Sequence, residues 1–214
     1  METDFRHKLM SSIVTIVDYG MGNLKSVCNA FHYLGVITEI SSCPEIISRA
    51  ENLILPGVGS FRLAMNTLVR LDLDKAIYEC VKIRKRKILG ICLGMQLMGL
   101  SSTEDGITNG LGLIPLCVDR FDDKPMRKIP HIGFNSVSPS FNSKLLSNLP
   151  ENPDFYFVHS YRMLPDLVVD QTSLCTYGED FVAAYEESNI MATQFHPEKS
   201  QTNGLRLLKN FLTS

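Results

Sequence analysis

No stretch of this 214-residue chain is apolar over the length that a membrane-spanning helix needs, roughly 18 to 20 residues. The start, Met1 to Met10, is polar and charged and does not read as a signal sequence. Residues 1–11 are expected to form a disordered extension, and 12–214 a single domain. An excess of charge is missing too. With 21 Lys and Arg against 23 Asp and Glu, the net charge of −2 leaves no footprint for nucleic acid or an anionic membrane surface. The longest basic cluster, Lys82 to Lys87, reads as a solvated helix end. The six cysteines (Cys28, Cys43, Cys80, Cys92, Cys117, Cys175) include no close-spaced pair of the zinc or dithiol kind. A reduced, cytoplasmic setting without a metal follows, with five of the six read as small buried hydrophobes. Internal repeats, low-complexity tracts and interdomain linkers are absent as well.

What is present alternates between strand and helix patterns, which in one domain implies an open, mostly parallel sheet covered on both faces. Ser12 to Tyr19 is a β-branched run; Leu24, Val27, Phe31 and Leu34 then recur at helical spacing until Gly35. Further strands are expected at Val36 to Ile40, Asn52 to Leu55 and Ile88 to Ile91. Helices are expected from Pro44, over Ser60 to about Leu68, Leu73 to about Arg86, and Leu93 to about Leu100. Short strands crowd the second half: Leu116 to Phe121, His131 to Val137, Phe155 to Val158, Leu174 to Tyr177, Phe181 to Glu186 and Ile190 to Gln194. Turn residues at Gly178-Glu179-Asp180 and Ser188-Asn189 point to an antiparallel extension of the parallel sheet. A last helix carries Leu205, Leu208 and Phe211 on one face.

The most informative segment is Lys87 to Met98, in which Gly90-Ile91-Cys92-Leu93-Gly94 places one cysteine between an apolar strand and an apolar helix. A nucleophile held on such a sharp turn needs small neighbours. Its sulfur would also stand at a helix N-terminus, where free N–H groups and the helix dipole favour the thiolate. Taken alone, the same pattern also suits a small buried residue. Far downstream, Gln194-Phe195-His196-Pro197-Glu198 supplies a base and a carboxylate. In an extended segment, residues two apart share a side, so His196 and Glu198 can meet, with Pro197 removing a strand donor between them. On its own, His-Pro-Glu reads as a surface turn. Beside the elbow it reads as the oriented base that a thiol nucleophile requires.

Cys92, His196 and Glu198 in these settings resemble the triad of the class I glutamine amidotransferases, and the resemblance runs from Ile13 onward. Asp18-Tyr19-Gly20-Met21-Gly22-Asn23, Pro56-Gly57-Val58-Gly59, Met95 and His196-Pro197-Glu198-Lys199-Ser200 are similar to the branch that serves imidazole glycerol phosphate synthases. Relatives acting in anthranilate, carbamoyl phosphate or GMP synthesis usually carry histidine in place of Met95 and often proline in place of Val58. The chain is long enough for one α/β glutaminase domain and too short for a fused synthetase.

The resemblance implies a flavodoxin-like α/β fold, hydrolysis of L-glutamine through a thioester on Cys92, no cofactor, and ammonia passed to a separate synthase subunit of the cyclase-barrel kind. The tetrahedral oxyanion needs two donors. Leu93 N–H, following the nucleophile, is one candidate. The loop Gly57-Val58-Gly59, whose glycines let backbone approach the substrate closely and make Gly57 and Gly59 candidate substrate-binding residues, is the expected source of the other. In similar glutaminases it can hold a donor turned away until the synthase is engaged, which makes Val58 the candidate switchable amide; a plain tight turn is the alternative. Gln96, one turn along the helix from Cys92, and His159-Ser160-Tyr161 match the segments that hold glutamine, against an ordinary helix residue and an ordinary strand end. The loop Asp18 to Asn23 lacks the full Gly-x-Gly-x-x-Gly spacing and any Walker lysine. In the resembled branch it faces the synthase, which makes Asn23 and Lys199 candidate interface residues. His131 is expected to be structural or interfacial. Phe134 stands where histidine-pathway members usually carry tryptophan, so ammonia supply to a sugar amidotransferase of surface-polysaccharide synthesis stays open. A catalytically silent scaffold is the alternative of a different class.

Overall fold

The computed structural model describes residues 12–123, 128–165 and 170–214; the extension expected over 1–11 lies outside them. In chain order, β1 (Ile13–Val17), α1 (Leu24–Tyr33), β2 (Ile37–Ser41), α2 (Pro44–Arg49) and β3 (Asn52–Leu55) come first. Then follow α3 (Phe61–Arg70), α4 (Leu73–Tyr78), a π-helical turn at Glu79–Ile83, β4 (Lys87–Ile91) and α5 (Leu93–Leu97). The second half holds β5 (Ser101–Ser102), β6 (Thr108–Asn109), β7 (Val118–Arg120), β8 (His131–Ser136) and β9 (Asp154–His159). It closes with β10 (Tyr161–Met163), β11 (Thr172–Thr176), β12 (Asp180–Glu187), β13 (Ile190–Thr193), a 3₁₀ turn at Pro197–Lys199 and α6 (Gln201–Thr213).

Seven strands form the central sheet in the order β11-β12-β13-β4-β3-β1-β2. The five from β2 to β13 run parallel, in the flavodoxin-like order, and β12 and β11 continue antiparallel on one edge. Both faces of the inner strands β1, β3, β4 and β13 are covered, and so these read as largely apolar runs whose side chains divide between two cores, while β2 at the edge is mostly exposed. Leu53 and Leu55 face one core and Ile54 the other; Ile88 faces the first, Leu89 and Ile91 the second. On the first side pack α3 and α4, with Phe61, Leu68 and Ile77 fully buried, and on the second α1 and α6, with Phe31, Leu207 and Phe211.

Two expectations need correction. The helix expected from Leu73 to Arg86 is α-helical only to Tyr78; the next five residues widen into a π turn, with Arg84 N–H bonded to the Glu79 carbonyl oxygen at 2.9 Å. The widened turn keeps both Cys80 and Val81 fully buried. Nor do all the later strands extend the sheet. Strands β10, β7, β5 and β6 form a separate four-stranded sheet, and β8 and β9 a two-stranded ribbon. Strands β5, β6 and β10 are two or three residues long, too short to show a period in sequence.

Candidate active site

Strand β4 delivers its last residue, Ile91, to the carboxyl edge of the sheet, and Cys92 follows with φ 55° and ψ −109°. A non-glycine residue pays for that conformation in strain, and such positions cluster at functional sites. The turn is held because Cys92 N–H donates to the Thr193 carbonyl oxygen at 2.7 Å, continuing the β4–β13 ladder. Its flanking glycines have a steric cause. A methyl on Gly94 would overlap the Leu55 carbonyl oxygen, and one on Gly90 would meet the Met95 nitrogen and the Met98 sulfur. Helix α5 then runs only five residues, short of the expected Leu100, because the Met98 carbonyl oxygen is taken by Leu113 and Ile114 N–H. So short a helix has little macrodipole.

Strand β13 lies directly beside β4, and its continuation carries the base into the same corner. His196 Nδ1 is 2.8 Å from Glu198 Oε1, with only 3% and 2% of the two side chains exposed. They meet for a different reason from the strand alternation expected: His196 is extended (φ −98°, ψ 97°), but Pro197–Lys199 is a 3₁₀ turn that brings the carboxylate back under the ring. The His196 carbonyl oxygen accepts from Ser200 Oγ at 2.6 Å, and its N–H donates to the Tyr156 carbonyl oxygen at 2.9 Å. The other ring nitrogen, Nε2, has no hydrogen-bond partner of ordinary geometry among the described residues, and the group it senses is the Cys92 thiol. Burial opposes protonation of His196, but the thiol and the Glu198 carboxylate outweigh it and hold the imidazole well above the ordinary histidine range. This arrangement favours an imidazolium beside the sulfur.

Cys92, 6% exposed, lies on a cavity of about 350 Å³. Val58, Gly59, Leu93, Gln96, Ser160 and Tyr161 line it with the cysteine, as does His159. Gly57 is placed behind the wall, where a side chain would strike the Tyr19 hydroxyl and Leu93. Glu104, which sequence reasoning missed, also lines the cavity. Its Oε2 accepts from Phe61 N–H at 2.7 Å, and burial raises its pKa. A carboxylate there is a partner for the ammonium group of an amino acid. In sequence, Thr103-Glu104-Asp105-Gly106 is indistinguishable from a solvated turn.

Residues 15–214 match the family described as glutamine amidotransferase class-I. The chain belongs to that family. Among relatives of this amidotransferase is the imidazole glycerol phosphate synthase subunit HisH 2 of Pseudomonas aeruginosa, 43% identical over 94% of this chain and 98% of that one. The HisH subunit of Chlorobaculum tepidum is 45% identical over 93% and 98%. The chloroplastic synthase hisHF of Arabidopsis thaliana is 43% identical over 94% of this chain but only 34% of its own length. Solved structures share the fold: a glutamine amidotransferase at TM-score 0.72 (16% identity, 93% and 97% covered) and PurLQS of Thermotoga maritima at 0.69 (18%, 94% and 98%).

The remaining candidates in the amidotransferase are outside the cavity lining. Asn23 is exposed and caps α1, accepting from Ser26 N–H at 3.3 Å. Lys199 is exposed with its ammonium 5.7 Å above the Tyr156 ring. The first loop packs on the second: Tyr19 Oη donates to the Pro56 carbonyl oxygen at 2.8 Å, and the Met21 methyl sits against Gly59. His131 is buried in an aromatic cluster, stacked on Tyr177 at 4.0 Å and Phe157 at 4.8 Å between centroids. All six cysteines are free thiols. Burial pushes Cys80 up to about 11 and Cys175 up to about 12, well away from reactivity. Cys117 is exposed and Cys43 half-buried, so two of the five expected in the core are outside it; both sit at element boundaries, just before β7 and α2. No helix among the described residues is long and apolar enough to cross a membrane.

Proposed function

We propose that this amidotransferase is the glutaminase subunit of an imidazole glycerol phosphate synthase. It hydrolyses L-glutamine to glutamate and ammonia and hands the ammonia to a separate cyclase-type subunit, which makes imidazole glycerol phosphate and AICAR in histidine biosynthesis. The observation that carries this reading is the buried His196–Glu198 pair beside a strained Cys92 on a small-molecule cavity. The two HisH subunits named above, similar over nearly the full length of both chains, support the pathway. A reducing cytoplasm suits a working thiolate.

The chemistry follows from the proposed roles. The Cys92 thiolate attacks the side-chain amide carbon of glutamine, whose carbonyl oxygen becomes an oxyanion received by Leu93 N–H and a donor at Val58. Collapse breaks the C–N bond; the His196 imidazolium gives its proton to the leaving nitrogen, and ammonia departs from the thioester. A water then loses a proton to His196 Nε2 and attacks the thioester carbon, and the returning thiolate restores the pair. Glu198 keeps the proton of neutral His196 on Nδ1, so that Nε2 faces the reaction. Glu104 receives the substrate's ammonium group, and Gln96, Gly59, Ser160 and Tyr161 complete the pocket.

Exposed Ile132 and Phe134 on β8, with Tyr156 beside Phe134 and Lys199 above it, form the proposed docking face with Asn23. Phe134 favours a second acceptor, a sugar amidotransferase. The test mixes the purified chain with a cyclase-type synthase subunit and its nucleotide acceptor, and measures glutamate and imidazole glycerol phosphate. Both should form from glutamine, and neither with Cys92→Ser. Turnover elicited only by a sugar amidotransferase would overturn the pathway and keep the glutaminase; no glutamate under any condition would leave the scaffold reading.

A further inference from the structure

A polar string, buried from His131 inward, runs from the β8–β9 ribbon to the nucleophile, and each link admits one direction. At its outer end the Asn135 side-chain nitrogen donates to the Thr176 carbonyl oxygen at 3.1 Å, while its Oδ1 accepts from Ser136 N–H at 2.9 Å. The same nitrogen lies 3.4 Å from His131 Nε2, which must therefore accept, leaving the proton on Nδ1. That N–H meets His159 Nε2 at 3.1 Å, so His159 in turn carries its proton on Nδ1 and donates to the Tyr161 carbonyl oxygen at 2.8 Å. A carbonyl oxygen only accepts, and so the Gln96 group 2.9 Å from it is the amide nitrogen. Its second hydrogen goes to Gln194 Oε1, also at 2.9 Å. Gln194 is left with its nitrogen toward Cys92, 3.7 Å from Sγ.

We propose that Gln194 is a hydrogen-bond donor to the Cys92 thiolate, held with its N–H toward the sulfur by the Tyr161 carbonyl and Gln96. The proposal deepens the glutaminase reading and rests on it, because only a cysteine that works as a thiolate has use for such a donor. His196 cannot fill the role throughout, since its proton leaves with ammonia and is regained from water. An amide N–H keeps its proton in both half-reactions. A turned amide would present its carbonyl oxygen to the sulfur and repel the negative charge. Gln96 and Gln194 are 5% and 0% exposed, so water cannot replace the bonds that a flip would break. Burial also keeps both histidines neutral, which preserves the direction of the outer half of the string; the inner half is fixed by the Tyr161 carbonyl oxygen. With both Gln96 hydrogens committed, its oxygen is the group left to meet a donor on the substrate.

The test is the pH dependence of alkylation of the full-length chain by iodoacetamide, followed at the Cys92 peptide by mass spectrometry so that exposed Cys117 does not interfere. Gln194→Met keeps the side-chain length without a donor. The apparent Cys92 pKa should rise by about one unit, a roughly tenfold loss of reactivity at fixed pH below it, as expected for a hydrogen bond to a charged group. In glutamine hydrolysis kcat should fall while KM stays close to wild type. Gln194→Asn, which withdraws the amide by one methylene, carries the same expectation and serves if the Met variant does not fold. Gln96→Met should also raise the pKa, by freeing the amide to turn. Unchanged Cys92 pKa in both Gln194 variants would overturn the proposal; a shift in those but none in Gln96→Met would overturn the string. Failure of the glutaminase reading shows separately, as absence of glutamate production by the wild-type chain.

Discussion

Glu198 holds His196 through a single oxygen, its other oxygen having no partner among the described residues, so its contribution rests on one 2.8 Å bond. Glu198→Gln preserves the shape and can still accept from Nδ1 through its amide oxygen, but it removes the negative charge that supports the imidazolium, and kcat should fall by about 10²- to 10⁴-fold. Cys92→Ser and His196→Asn should abolish thioester formation, read by intact mass with a glutamine-analogue alkylator that labels Cys92 in the wild type. The raised pKa of His196 has a stability signature as well. Since the folded protein binds this proton more tightly than the unfolded chain, the stabilisation is complete below the unfolded value, near 6.5, and disappears as pH rises through the higher folded value. The melting-temperature gap between wild type and His196→Asn should therefore narrow on going alkaline; a widening gap would contradict the assignment. The triad was legible because Gly-x-Cys-x-Gly and His-Pro-Glu are local patterns with a chemical reason. Glu104 and Gln194 were not, because each acquires its role from neighbours distant in sequence.

At the scale of elements, the elbow depends on β4, α5 and β3 being in contact. Gly94→Ala forces a methyl into the Leu55 carbonyl oxygen, and since backbone cannot yield as a flexible side chain does, a loss of about 3 kcal/mol or more is expected in denaturant unfolding. The β8–β9 ribbon carries an acid-sensitive pair. Burial lowers His131 to about 4 and, with opposition from a backbone hydrogen bond to Tyr161 and help from His131, His196 and Arg162, His159 to about 3. Both stay neutral in the fold while the unfolded chain protonates near 6.5. Stability is unaffected above that pH and declines below it, at up to about 1.4 kcal/mol per pH unit for each histidine. Melting temperatures from pH 7 to pH 5 should fall more steeply in wild type than in His131→Asn. Long elements such as β4 and α3 could be read from periodicity and caps. The widened turn after Tyr78 and the strands of two or three residues could not, because their geometry comes from packing partners and leaves no period in the chain.

At the scale of the molecule, two loops from different parallel strands touch: Tyr19 and Met21 of the first rest on Pro56 and Gly59 of the second. A partner seated on the first loop therefore presses on the proposed source of the second oxyanion donor. The isolated chain should hydrolyse glutamine slowly and be stimulated about 10²- to 10³-fold by a synthase carrying its acceptor, the effect of completing one such donor. Steady-state glutamate release with and without the partner decides it, and full speed from the lone chain would refute the gating while sparing the triad. The alternation of strands and helices made the architecture legible in sequence; the way β13 enters the sheet did not show there. That strand, residues 190–193, inserts between β4 and β12, and the base follows it by three residues. A chain emerging from the ribosome thus carries its cysteine roughly a hundred residues before the imidazole that arms it. Half-made protein cannot spill ammonia, and any product truncated before this strand is harmless to the glutamine pool.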